Sequence, residues 1–91
     1  MMSDGEYGVL QRYLIDEPDR GDIIKGSGGI RKLRWKVTGR GKRGGARVIY
    51  YWAVRRDTIL MLTVYSKSER DDLAADELKV MERVVEAEFH G

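Results

Sequence analysis

The sequence predicts an α+β fold: an N-terminal helix, a three-stranded antiparallel meander and a C-terminal helix, in one domain over residues 1–91. Three observations predict it. Apolar residues recur at helical spacing near the two ends of the chain, at Val9, Leu10, Tyr13 and Leu14 and at Leu78, Met81, Val85 and Phe89. Between them, three runs of β-branched and aromatic residues have strand length. The links between these runs are short, which favours antiparallel neighbours.

Ser3-Asp4-Gly5-Glu6 has capping-box spacing, and Pro18 ends the helical pattern, so the first helix should run from about Asp4 to Ile15. Gly5 and Gly8 weaken it, each by about 1 kcal/mol relative to alanine. Residues 16–29 hold Pro18 and four glycines and read as a connection, pinned to the core by Ile23 and Ile24. From Ile30 to Val37 the pattern alternates. Leu33, Trp35 and Val37 point one way and Lys32, Arg34 and Lys36 the other, which predicts a half-buried strand with three cations on one face. Residues 38–45, TGRGKRGG, form a charged loop. Ala46–Val54 reads as a second strand, with Val48, Tyr50, Trp52 and Val54 on its core side and Arg47 and Tyr51 on the other. After a tight turn at Arg55-Arg56-Asp57, the run Thr58–Tyr65 is apolar on both faces, which predicts a central strand covered on both sides. Ser68-Glu69-Arg70-Asp71 again has capping spacing and suggests a short helical turn. The last helix should span about Ala75–Phe89.

Composition narrows the function. The chain has no cysteine, so disulfides and thiolate metal sites are excluded, and its one histidine, His90, is next to the C-terminal residue. No metal site or cofactor is expected. The sequence shows no signal peptide and no apolar run near the ~20 residues of a membrane span, so a cytoplasmic protein is expected. The net charge of +2 conceals a strong segregation. Residues 25–56 carry eleven basic and no acidic side chains, whereas residues 1–24 carry two basic and six acidic, and residues 57–91 four basic and nine acidic. A tract of cations without anions repels itself until something neutralises it, and phosphate is the usual partner.

That tract offers no carboxylate, histidine or cysteine for paired-carboxylate or metal-assisted hydrolysis. It does offer Lys32, Arg34, Lys36 and Arg47 on adjacent strands. Clustered cations lower the pKa of a lysine among them. Attack of an RNA 2′-hydroxyl on its neighbouring phosphate needs such a base, an acid for the leaving oxygen and cations around the phosphorane. Cations alternating on a strand more often only bind phosphate. Arg40, Lys42 and Arg43 in the loop are further candidates for RNA contact, and Tyr51, which shares parity with Arg47, is a candidate for stacking on bases. The glycine-rich segments 26–29 and 39–45 match no nucleotide-binding motif and read as connectors.

Residues 26–52, GSGGIRKLRWKVTGRGKRGGARVIYYW, and 59–73, ILMLTVYSKSERDDL, resemble the HigB-like branch of the RelE/ParE toxin superfamily. That branch reads GxGGxRKxR, then GxGKRGGxRxIYY, then a strand ending in YxKxExxDL. The resemblance covers roughly residues 20–73. It implies a toxin of a type II toxin–antitoxin system, a metal-independent endonuclease that cuts mRNA in the ribosomal A site. It also implies a cognate antitoxin with a helix-turn-helix domain. By resemblance, Lys32 is a possible base, Arg34 and Arg47 are transition-state clamps, and Lys67 is a phosphate contact or acid. Many RelE-type members carry a tyrosine just after the late basic segment. Leu73 and Ala74 stand there in this chain, leaving Tyr65, Tyr51 or Lys67 as substitutes. The family usually begins with a strand and a helix before the helix placed here at 4–15, so an unpaired sheet edge is expected, covered by a second copy or another chain. The alternatives are a non-catalytic module binding RNA or a partner, and a ParE-like toxin acting on DNA gyrase.

Overall fold

Ser3 starts the first helix. Its hydroxyl accepts the Glu6 N–H at 3.1 Å, and its own N–H donates to Glu6 Oε1 at 3.0 Å, which completes the capping box. In the computed structural model, which describes residues 3–36, 45–70 and 72–89, this helix, α1, runs Asp4–Asp16. Leu10 and Leu14 are fully buried, and Tyr7 and Tyr13 pack beside them on the same stripe. Val9 points outward instead.

Among the described residues the sheet has four strands, one more than the sequence predicts, all antiparallel in the order β1-β2-β3-β4. The extra strand is β1, Asp22–Ile23, which pairs with the start of β2, Ile30–Trp35. Ser27 closes the link between them. Its hydroxyl donates to the Ile24 carbonyl at 2.6 Å and accepts the Ile30 N–H at 3.0 Å, while Gly26, Gly28 and Gly29 take positive φ. The GSGG segment is thus a hairpin turn. Ile24 packs into the core as expected, but Ile23 is 57% exposed, because neighbouring residues of a strand face opposite ways.

β3 spans Ala46–Ala53 and β4 spans Thr58–Ser66. Between them Val54–Arg56 forms a 3-10 turn and Asp57 takes the left-handed conformation, so Val54 leaves the strand and is exposed. β4 is an edge strand, not a central one. Layers on both faces still account for its continuous apolar run. A bulge shifts the register between Ile49↔Thr63 and Tyr50↔Met61, leaving Leu62 as the extra residue. Ile59, Met61 and Val64 therefore join α1, while Leu60, Leu62 and Tyr65 face the other layer. That layer is α2, Ala75–Phe89, which brings Leu78, Met81, Val85 and Phe89 onto Ile30 and Ile49. Residues 67–69 form a turn rather than a helix. The fully buried apolar side chains, such as Leu10, Leu14, Ile30 and Ile49, contribute about 1.5–3 kcal/mol each.

Tyr50, at the centre of β3, ties the connection after α1 to the sheet. Its hydroxyl donates to the Pro18 carbonyl and accepts the Gly21 N–H, both at 2.8 Å. Trp35 also lies on the α1 side, 5.1 Å from Tyr13 between ring centroids. Val37 and the loop cations Arg40, Lys42 and Arg43 lie outside the described residues. No helix among the described residues is long and apolar enough to cross a membrane.

Candidate nucleic-acid interface

Strand alternation sends Lys32 and Arg34 to the face of β2 that α2 covers only in part, and sends Arg31 to the other face. There Arg31 is structural: it donates to the Gly21 carbonyl at 2.7 Å and the Asp19 carbonyl at 3.1 Å. On the α2 side, the register sets Arg34 opposite Arg47 and Arg47 opposite Tyr65. The three side chains make a row across β2, β3 and β4. Lys32 stands two residues along, opposite Ile49. Arg34 is exposed and Arg47 half-buried, with one long bond from Arg47 Nη1 to the Ala46 carbonyl at 3.4 Å. Lys67 comes directly after β4, and its N–H donates to the Gly45 carbonyl at 3.2 Å, at the end of the sheet where Arg34 and Arg47 lie. Lys36 comes just after β2 at the same end and is exposed. None of the ion pairs among the described residues involves Arg34, Lys36, Arg47 or Lys67.

Tyr51 is not brought to this group. It shares the face, but it lies four residues, roughly 13 Å, along β3 from Arg47. There α2 covers it, with Phe89 5.5 Å away between ring centroids.

The structure adds three side chains that the charge pattern does not reveal. Asp72 comes from the acidic C-terminal segment and supplies a carboxylate to a face expected to have none. Its Oδ1 accepts from Lys32 Nζ at 3.3 Å and from the Leu73 N–H at 3.0 Å. The Leu73 N–H first, then the Lys32 ammonium, hold this carboxyl below the usual carboxylate range, against the opposing effect of desolvation. Arg70 is bound by Glu77, and its guanidinium lies 4.6 Å from the centroid of the Tyr65 ring. Tyr65 is only 3% exposed, and its hydroxyl makes no hydrogen bond among the described residues. Burial first, then the negative charge of Asp72, push this phenol upward. In the sequence Tyr65 is marked by the family resemblance, whereas only the short polar run 66–72 after β4 hints at Asp72 and Arg70.

Chemically, the face offers two arginines at paired positions on adjacent strands, one ammonium shared with a carboxylate, and a buried phenol. It suits a phosphodiester. Among the described residues no group of three or more His, Cys, Asp or Glu side chains is placed to hold a metal ion. In comparison with known families, residues 15–89 match the model of the RelE toxin of the RelE / RelB toxin-antitoxin system.

Proposed function

The chain belongs to the RelE toxin family of toxin–antitoxin systems, and from the cation row on its sheet we propose that it is a ribosome-dependent mRNA endonuclease. The observation that carries the proposal is the direct opposition of Arg34 and Arg47. Like charges facing each other across two strands destabilise a sheet. A phosphodiester placed between them removes that repulsion and gains two charge-assisted contacts.

The cut proceeds by transesterification. The RNA 2′-oxygen attacks the adjacent phosphorus as its proton leaves, the bond to the 5′-oxygen breaks, and a 2′,3′-cyclic phosphate and a 5′-hydroxyl result. Arg34 and Arg47 stabilise the phosphorane, whose extra negative charge exists only near the transition state. Lys32 takes the 2′-hydroxyl proton. To do so it must first leave Asp72 and give up its own proton to solvent, since an ammonium has no lone pair to offer. Lys67 donates to the phosphate or to the leaving oxygen. Lys36, with Arg40, Lys42 and Arg43 of the loop, extends the track for the RNA backbone.

A toxin of this family has an antitoxin partner. The HigB-like motifs point to one with a helix-turn-helix domain. The uncharged edge of β4 suits a second strand, from another copy of this chain or from a partner.

The test is to add the purified protein to programmed ribosomes and map mRNA ends by primer extension, beside Arg47→Ala and Lys32→Ala. Discrete A-site cuts that disappear in both variants are expected. Binding without cutting would leave a non-catalytic RNA-binding module as the better reading.

A further inference from the structure

Asp72 is more than a stray carboxylate near a basic face. Its Oδ1 takes two donors, the Lys32 ammonium and the Leu73 backbone N–H just ahead of α2. An ammonium beside a backbone N–H is a donor set that a phosphate oxygen also uses. The two partners are unequally held: the Asp72 side chain is 71% exposed and that of Lys32 26%. Lys32 is lodged against the sheet, while most of the Asp72 side chain faces water. On this face Lys32 is held by Asp72 and Arg70 by Glu77, while Arg34, Arg47 and Lys67 have no ion pair among the described residues.

A second observation concerns the same face. Beyond Lys32, the cations Arg34, Arg47 and Lys67 lie at one end of it with no ion pair among the described residues, so a phosphodiester chain that reaches Lys32 also meets cations that nothing yet neutralises.

We propose that the Asp72 carboxylate occupies the phosphate subsite of the cation face, so that RNA binds by displacing Asp72 from Lys32. Displacement frees Lys32 and the Leu73 N–H for a phosphate oxygen. Asp72 is thus a positioning residue that tunes affinity. The inference rests on the reading of this face as an RNA site.

The experiment titrates a single-stranded oligoribonucleotide into the full chain over a salt series. Asp72→Asn keeps the acceptor for the Leu73 N–H and removes only the charge. Asp57→Asn, at the opposite end of β4, makes the same change in net charge, and asparagine tolerates the left-handed backbone there. Asp72→Asn should bind about two- to fivefold more tightly than the parent and Asp57→Asn at low salt, the range an exposed ion pair allows. Its log–log salt slope should steepen by about 0.7, one further phosphate on a single strand. Both effects should vanish in a Lys32→Ala background. Equal affinity and slope for Asp72→Asn and Asp57→Asn overturn the inference. The RNA-binding reading then still stands if Lys32→Ala and Arg47→Ala weaken binding. A parent protein that binds no RNA overturns both.

Discussion

Arg34 and Arg47 face one another directly across β2 and β3, and neither has an ion pair among the described residues. Opposed like charges cost a sheet roughly 0.2–1 kcal/mol. Arg47→Thr replaces one cation with a good strand former. Chemical denaturation should show the variant at least as stable as the parent, by up to about 1 kcal/mol. RNA cleavage and binding should fall sharply in the same protein. Stability gained where function is lost marks a site held against its own folding preference. A variant that loses both together would instead make Arg47 a structural residue.

The Tyr50 hydroxyl makes the opposite case. It is fully buried and satisfies both the Pro18 carbonyl and the Gly21 N–H. Tyr50→Phe orphans those two backbone groups and should cost about 1–3 kcal/mol. In a chain of this size each kcal/mol lowers Tm by roughly 4–8 °C. Gly21→Ala attacks the same joint from the other side, since a Cβ there would lie 2.8 Å from the Tyr50 ring and hydroxyl. Thermal melts of the two variants should both drop.

Tyr65→Phe should behave differently from Tyr50→Phe, although both tyrosines are buried. The Tyr65 hydroxyl has no partner to lose among the described residues. Removing it should leave Tm unchanged or raise it slightly. A large destabilisation on the scale of Tyr50→Phe would show that the hydroxyl is already served in the free protein.

Acid stability should depend on Glu77. Its carboxyl is held below the ordinary range, first by Arg70 and then by the Ala74 N–H. A folded-state pKa lower than the unfolded value means that the unfolded chain binds more protons in acid. The stabilisation is complete above the unfolded glutamate pKa of about 4.3 and disappears as pH falls through the lower folded value. Glu77→Gln should flatten the acid limb of a stability–pH curve and leave its shape near neutrality unchanged. An acid limb identical in parent and variant would assign it to other carboxylates.

Periodicity made much of this legible in the sequence. The spacing of Leu10 and Leu14, and of Leu78, Met81, Val85 and Phe89, marks both helices, and the alternation from Ile30 puts Lys32 and Arg34 on one face. Features without a period were not legible. β1 is two residues long and exists through its pairing with β2 and the Ser27-closed turn. The bulge at Leu62 reverses the phase of β4 within an unbroken apolar run, so nothing in TILMLTVY shows it. Parity gives Tyr51 its face but not its place along that face, and Phe89 decides the rest. Asp72 reaches Lys32 across forty positions, a contact that depends on how α2 is led back over the sheet.

The outer edge of β4 gives the last prediction. The nine residues Thr58–Ser66 contain no charge, and among the described residues only β3 pairs with them. Long uncharged edges invite pairing with another strand. Beside this edge lies a groove of about 340 Å³, lined by Leu14, Ile15, Pro18, Trp52, Ile59 and Met61 among others, and Ile15 is 71% exposed. A second copy laid against β4 covers both the edge and the groove. Sedimentation of the isolated protein should therefore show a dimer that dissociates on dilution. Thr58→Lys puts a charge on the edge, and Ile15→Glu puts one in the groove; both positions are exposed, so folding should survive. Each variant should sediment as a monomer with an unchanged far-UV spectrum. A parent chain that stays monomeric at every concentration removes the second copy and leaves a partner strand as the occupant of the edge.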